Sequence, residues 1–417
     1  MIPQGAVNGQ RPVFKEKPAG NRRDYPVLVL YPTDPRVNKL GGIETAVGGL
    51  LSRKSPYSTV RFVGVDAVGD LQTGRWNEIG HDGKKLEFFP LFRVQNLNRR
   101  TLPPLNLRFT YALWKNKSKI LTRPAALDLH RVDHLIPFWN DFRFPVILTI
   151  HGTSKNIHLP NESWVAKIRP FFLLLERLSL LRADKIFCVS DEGVEYYRRL
   201  LGAERRKVSL IENWVDFDLF SPQNPVRCRQ AFGLPLDKKI LLFVGRLEKV
   251  KDPDLLLQTF REVRLARPGA VLVLAGDGRE KAELMARHAD LKNDLIFLGA
   301  VPHARLPELF SAADCLLLTS HFEGMPKAVL EALATGLPVV STAVGDVPKV
   351  VLDGFSGYVV PARSAKALAE RTLNLLDRRP SLADCRAALA GFEAGSVLGK
   401  IEKANQKLAR NFYGQPV

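Results

Sequence analysis

Two glutamates, Glu323 and Glu331, carry the strongest chemical signal in this sequence. An apolar run, Cys315–Thr319, leads into Ser320-His321-Phe322-Glu323-Gly324-Met325-Pro326-Lys327 and then Ala328 to Ala334. This reads as a strand followed by a helix, with Pro326 suited to the first helical position and Gly336 and Pro338 to its stop. Glu323 then lies on a loop at a helix N-terminus, and Glu331 about a turn and a half inside. Unpaired backbone N–H groups at such an end favour anions and hydroxyls. Alone, Glu323 also reads as a helix-dipole carboxylate and Glu331 as a buried salt-bridge partner. Cations come from elsewhere. The run Ile240–Val244 ends in Gly245-Arg246-Leu247-Glu248-Lys249-Val250-Lys251. Arg246 offers a planar fork and Lys251 a point charge, a pair suited to a diphosphate; a solvated surface loop is the plain alternative. Val271–Ala275 ends in Gly276-Asp277-Gly278, which a tight turn explains as well. His151, after Val146–Ile150, reads equally as a ligand or as a structural histidine.

Placing these groups requires parallel strands with their carboxyl ends in register. In the first half, extended segments are expected at Val27–Tyr31, Val60–Val65, Leu129–Ile136, Val146–Ile150, Lys185–Val189 and Val208–Ile211. In the second they are Ile240–Val244, Val271–Ala275, Leu295–Leu298, Cys315–Thr319, Pro338–Ser341 and Gly357–Val360. Helical patterns lie between many of them, including one from about Ile43 and a long one from about Ser163 to Leu181. Strands alternating with helices mean parallel sheets covered on both faces, an α/β fold whose ligands sit at the carboxyl ends of strands. With 417 residues the chain suits two domains. The expected division is a disordered arm at 1–24, a first domain at 25–220, and a linker at 221–238. A second domain follows at 239–395, and a helix at 396–417 is expected to pack back on the first.

Composition narrows the partners. The net charge is +18, with 34 basic and 22 acidic residues up to 220 and 27 and 21 beyond. That asymmetry points to an anionic partner for the first half, a membrane surface or a phosphorylated acceptor. Zinc-finger spacing, an RRM-type aromatic motif and a basic zipper are all missing from the sequence, so nucleic acid is not expected. The four cysteines are scattered among apolar residues and read as buried free thiols of a reducing cytoplasm. Between Gln95 and Arg123 stand Arg99, Arg100, Arg108, Lys115, Lys117, Lys119 and Arg123, with Phe109, Tyr111 and Trp114 interleaved and no acidic residue. This is the composition of a segment lying on an anionic bilayer, or of a basic helix face whose aromatics pack inward.

The motifs together resemble one family. Glu323-x7-Glu331, Gly336-Leu337-Pro338-Val339-Val340, Val344-Gly345-Asp346-Val347-Pro348, Asp353-Gly354-x2-Gly357, Gly245-Arg246-Leu247-x3-Lys251 and Phe297-Leu298-Gly299-Ala300-Val301 match the large retaining GT-B family. That family includes sucrose synthases, bacterial mannosyltransferases and lipopolysaccharide-core glucosyltransferases. Gly41-Gly42-Ile43-Glu44, His151-Gly152, Val189-Ser190 and Asn213-x2-Asp216 fall where its members carry similar motifs. Two departures are Asp346, where a second glycine is frequent, and Asp252, where glycine is usual.

The resemblance implies a GT-B fold, two doubly wound Rossmann-like domains facing across a cleft. It further implies a retaining transferase that takes a sugar from a nucleotide diphosphate, a UDP-sugar or GDP-mannose. Arg246 and Lys251 would grip the diphosphate, and Glu323 and His151 would hold the transferred sugar. Glu331 would bind the ribose and the Val301 backbone the base, with Gly41, Gly42, Gly276, Gly324, Met325, Pro326 and Lys327 completing the donor site. No metal and no cofactor are expected, because the cationic side chains replace Mg²⁺ and the nucleotide sugar is a substrate. A lipid-linked or polysaccharide-precursor acceptor is expected, and a location on the cytoplasmic face of the inner membrane. The alternatives are a nucleotide-sugar 2-epimerase of the same fold and a non-catalytic sugar- or lipid-binding protein.

Overall fold

The computed structural model describes residues 25–37, 42–52, 59–97, 102–152 and 169–413. The expected arm at 1–24 lies outside the described residues, as does Gly41. Two sheets organise the chain. The first holds β1 (Val27–Leu30), β2 (Val60–Asp66), β3 (Asn77–His81), β4 (Lys84–Arg93), β5 (Ala126–Leu129), β6 (Val146–Ile150), β7 (Lys185–Cys188) and β8 (Val208–Leu210). Their order is β3-β4-β2-β1-β5-β6-β7-β8. Every neighbouring pair is parallel except β3 and β4, a hairpin running from Asn77 opposite Phe88 to His81 opposite Lys84. Its turn, Asp82-Gly83, has both residues at positive φ, 47° and 71°, as a two-residue hairpin turn of matching twist demands.

The second sheet is wholly parallel. It holds β9 (Ile240–Val244), β10 (Val271–Ala275), β11 (Leu295–Gly299), β12 (Cys315–Leu318), β13 (Val339–Thr342) and β14 (Gly357–Val360) in the order β11-β10-β9-β12-β13-β14. These strands are short apolar runs because helices cover both faces, leaving no solvent side to call for alternation. The winding reverses between β9 and β12, so a crevice opens beyond their carboxyl ends. The loops that leave those two strands carry Arg246, Lys251 and Glu323.

Two expectations are corrected. The strand expected at Leu129–Ile136 stops at Leu129; Asp133–Phe138 is a 3₁₀ helix. The Arg131 guanidinium donates to Asp133 at 2.9 Å, which closes the chain into a turn where apolar residues alone read as extended. Residues 221–238 are not an open connector. Asn224 caps a helix at Pro225–Ala231, and Phe220, Cys228 and Leu234 lie inside the second core.

The last helix, Ala394–Phe412, leaves the second domain and covers the first sheet. Its Val397, Leu398 and Ile401 bury against Tyr25, Ala126, Ile147 and Phe187, and Gln406 donates to the Tyr25 carbonyl at 3.0 Å. Burial of three aliphatic side chains contributes on the order of 5 kcal/mol. The chain therefore crosses between domains twice, and the crossings touch. Val215 N–H donates to Phe392 O and Ala394 N–H to Val215 O, both at 2.9 Å.

Candidate functional site

The second domain supplies the charged groups from two stitched loops. Gly276, after β10, lies so close to Gly245 that a Cβ there would meet the Gly245 carbonyl oxygen at 1.9 Å. The loop beyond Gly245 ends in a 3₁₀ turn, Lys249–Lys251. The Thr319 hydroxyl donates to the carbonyls of Lys251 and Asp252, both at 3.0 Å, fastening this turn to the end of β12. On that scaffold the Lys251 ammonium pairs with Glu323 Oε1, which also accepts from Ser320 Oγ at 2.8 Å. Arg246 stands apart from the pair. Its guanidinium donates to Glu248 at 3.0 Å and is largely exposed.

Both departures from the family pattern have structural work to do. Asp252 adopts a left-handed φ of 46°, which explains the usual glycine. Its carboxylate caps the helix Pro253–Ala266 through Leu255 N–H at 3.2 Å and pairs with Arg363, contacts glycine cannot make. Asp346 reaches the other domain, accepting from Asp191 N–H at 3.3 Å and from Lys349 at 3.2 Å. Lys349 also bonds the Asp191 carboxylate at 2.5 Å, so the two domains meet through an ionic cluster there.

Lys327 opens the helix Lys327–Ala334, with Pro326 as its N-cap rather than its first residue. Lys327 and Glu331 stand four residues apart on one face of that helix and both line a cavity of about 580 Å³ between the domains. Glu331 is buried and bonds His303 Nε2 at 2.9 Å. The Lys327 ammonium lies over the Trp214 ring, 3.5 Å from its centroid. Burial pushes its pKa down to about 8, against the opposing pull of Glu331 and Asp216. The six-membered ring of Trp214 also meets Gly49 of the helix Gly42–Ser52, where a Cβ would strike Cζ2 and Cη2 at 2.0 Å. Trp214 thus touches a glycine of one domain and a lysine of the other. Asn213 beside it donates to the Met325 carbonyl at 2.6 Å, another contact across the domain boundary.

From the first domain come Thr33, Asp34, Arg36, Glu44 and His81 as cavity walls. Arg36 is held by three carboxylates, Asp34 at 2.8 Å, Asp66 at 2.7 Å and Asp70 at 2.5 Å. His151 follows β6 and shares a hydrogen bond with His130, Nε2 to Nδ1, at 2.9 Å. Burial first, and then the Lys327 charge, lower its pKa to about 4, so the ring is neutral at ordinary pH.

The structure thus joins Lys251 to Glu323 and sets Lys327 and Glu331 side by side on the cavity wall, with His151 inside the electrostatic reach of Lys327. Arg246 points to its own loop. Gly42 starts its helix with open space where a side chain would be. Val301 is buried in the second core. Sequence reasoning missed His303, Trp214, His130 and Arg36. His303, two residues after Val301, was the most accessible signal; the others depend on contacts between distant elements.

Two family descriptions match the chain: Glycosyl transferases group 1 over residues 227–389 and Glycosyltransferase Family 4 over residues 79–219. A D-inositol 3-phosphate glycosyltransferase of Mycolicibacterium smegmatis is 32% identical over 244 residues, 57% of this chain and 55% of that one. The chain spans about half the length of the curated relatives it matches. Among solved structures, sucrose-phosphate synthase of Thermosynechococcus elongatus superposes with a TM-score of 0.74 at 21% identity, over 92% of this chain and 99% of that one. HepE of Anabaena, solved in complex with UDP-glucose, gives a TM-score of 0.65 at 17% identity, over 91% and 98%. These likenesses show the fold, two parallel-dominated sheets arranged as in GT-B structures.

Proposed function

The chain belongs to the group 1 glycosyltransferase family, and from that premise we propose that it moves a sugar from a nucleotide diphosphate to an acceptor hydroxyl with retention at the anomeric carbon. The observation that carries this reading is the stitched pair Lys251–Glu323 at the switch point of the second sheet. In this reading the ammonium serves the diphosphate and the carboxylate the sugar, and the two side chains are in contact. A diphosphate arriving at the strand ends competes with Glu323 for the ammonium and frees the carboxylate for sugar hydroxyls. Arg246 swings from its exposed pairing with Glu248 to supply the second cation, at the cost of a surface ion pair worth under about 1 kcal/mol. Glu331, oriented by His303, receives the ribose hydroxyls.

In the step itself, the acceptor oxygen forms a bond to the anomeric carbon from the face the diphosphate leaves. The bond from that carbon to the phosphate oxygen breaks, and the acceptor proton passes to the departing phosphate. Lys251, Arg246 and the amides at the start of the helix Lys327–Ala334 stabilise the charge that develops there. No protein base and no metal enter this scheme. Thermal shift against UDP, GDP and ADP, followed by hydrolysis of the matching nucleotide sugar, tests it. Stabilisation by one nucleoside diphosphate with slow sugar release supports the reading; no stabilisation by any of them overturns it.

A lipid-linked or polysaccharide-precursor acceptor presented at an anionic membrane surface is the second part of the proposal. Among the described residues no helix is long and apolar enough to cross a membrane. The helix Leu105–Ile120 buries Phe109 but leaves Tyr111 56% and Trp114 64% exposed. On the helix Arg169–Arg182, Phe171, Leu174 and Leu178 are exposed as well. The charges contribute less than their number promised. Lys117 pairs with Asp141 at 3.0 Å, Arg123 pairs with Glu87, and Arg108 lies over the Phe92 ring; Arg99 and Arg100 fall outside the described residues. Adhesion therefore rests mainly on the aromatic and aliphatic side chains, with Lys115 and Lys119 assisting. Co-sedimentation with anionic vesicles should fall when Tyr111 and Trp114 become serine. Unchanged binding would exclude this face.

A further inference from the structure

The histidine placed at the sugar is not isolated. His130 leaves the carboxyl end of β5, beside β6, and its ring stacks on that of His151 with centroids 5.2 Å apart and planes inclined by 23°. One proton lies between His130 Nδ1 and His151 Nε2, 2.9 Å apart, and geometry alone lets either ring own it. The far side of His130 decides. Its Nε2 faces Asp128 Oδ1 at 3.7 Å, both atoms fully buried. Asp128 is the third residue of β5; burial pushes its carboxyl up to about 7, against the opposing effect of Asn405 on the last helix, so above that pH it faces His130 as a carboxylate. A carboxylate calls for a proton on the nitrogen opposite it, because two lone pairs facing each other in a dry core repel. With its proton on Nε2, neutral His130 presents a bare Nδ1 to His151.

We propose that His130 is a positioning residue for His151: it accepts the Nε2 proton of that ring and fixes the tautomer in which His151 Nδ1 is bare. That atom makes no hydrogen bond among the described residues, and His151 remains partly exposed. A bare Nδ1 can only accept, so it binds a sugar hydroxyl through the hydroxyl's proton. The donor sugar is then oriented by direction as well as by distance. Tyr31 and His134 also lie near His130, Tyr31 edge-on with centroids 6.2 Å apart.

This inference rests on the reading that His151 faces the transferred sugar, and the experiment separates the two. Histidine-labelled full-length protein is studied by long-range ¹H–¹⁵N correlation at pH 8, above the value of about 7 to which burial pushes the Asp128 carboxyl. The His151 signals are assigned by their loss in His151→Gln. The expected spectrum shows His151 protonated on Nε2 only, and a mixture of tautomers in His130→Leu. Hydrolysis of UDP-glucose, or of GDP-mannose if GDP is the nucleotide that stabilises the protein, should slow about tenfold in His130→Leu, the scale of one hydrogen bond. Nucleotide affinity should not change. His130→Asn, whose amide oxygen can take the place of Nδ1, should recover to within about threefold. A wild-type His151 protonated on Nδ1 overturns the proposal, even if His130→Leu fails to fold. So does a His130→Leu protein with an unchanged tautomer and normal turnover. Full hydrolysis by His151→Gln would instead remove His151 from the sugar site, whatever its tautomer.

Discussion

Replacing Lys327 by methionine should make the protein more stable and less able to bind its donor. The ammonium is buried over Trp214, and its pKa falls from 10.5 to about 8, chiefly through desolvation. Each tenfold in a protonation equilibrium is about 1.4 kcal/mol, so keeping the charge in the folded state costs about 3 kcal/mol. Below pH 8 folded and unfolded chains both hold the proton, and the penalty is constant. Between pH 8 and 10.5 the folded protein has released a proton that the unfolded chain retains, so stability rises with pH. Above 10.5 both are neutral and the penalty is gone. Methionine fills a similar volume with no charge and should remove the penalty at every pH. Melting temperatures of wild type and Lys327→Met, compared from pH 6 to pH 10.5, should therefore differ by several degrees at neutrality and converge at the alkaline end. A variant less stable than wild type at pH 7, with a gap independent of pH, would refute the reasoning. It would mean that Trp214, Glu331 and Asp216 together outweigh desolvation.

Other perturbations reach the remaining groups. Arg246→Ala should leave unfolding within about 0.5 kcal/mol of wild type, since its partner is a surface carboxylate, yet slow sugar transfer about 100-fold or more. Glu331→Gln should chiefly weaken binding of the free nucleotide in calorimetry, whereas Glu323→Gln should chiefly lower turnover of bound donor; equal losses of nucleotide affinity would show the roles misdivided. Gly276→Ala drives a methyl into the Gly245 carbonyl and should destabilise the second domain by about 1–3 kcal/mol, read in urea unfolding.

The second sheet was legible almost strand for strand, because its parallel strands are compact apolar runs, four of the six ending at or followed by glycine or proline. The first half gave less. Strands β3 and β4 escaped because β3, Asn77-Glu78-Ile79-Gly80-His81, has one large apolar residue and faces solvent. Asp82-Gly83 between them was the available clue, and it was not used. The strand placed at Leu129–Ile136 failed for the opposite reason: Leu135 and Phe138 are fully buried from a 3₁₀ turn, where apolar spacing mimics extension. For the candidate site, the motifs pointed to Glu323, Glu331, Arg246, Lys251 and His151 by type and number. What they could not give is who holds whom. The Lys251–Glu323 pair, the contacts of Trp214 with Gly49 and Lys327 and the histidine couple all join residues from different elements, and no local pattern encodes such a meeting.

The return of the last helix to the first sheet sets the order in which the chain can mature. The second domain is continuous in sequence and is complete once residues up to about 390 have left the ribosome. The first is not, because Tyr25, Ala126, Ile147 and Phe187 wait for Val397, Leu398 and Ile401. The 183 residues from 211 to 393 separate the end of β8 from that helix, roughly 10–40 s of synthesis at ordinary rates. During that interval the earlier-made half carries an uncovered apolar face, while the later-made half closes on its own. Vectorial synthesis here finishes the domains in the reverse of the order in which it begins them. A stop codon near residue 393 would spare the fold of the second domain and leave the first without its cover.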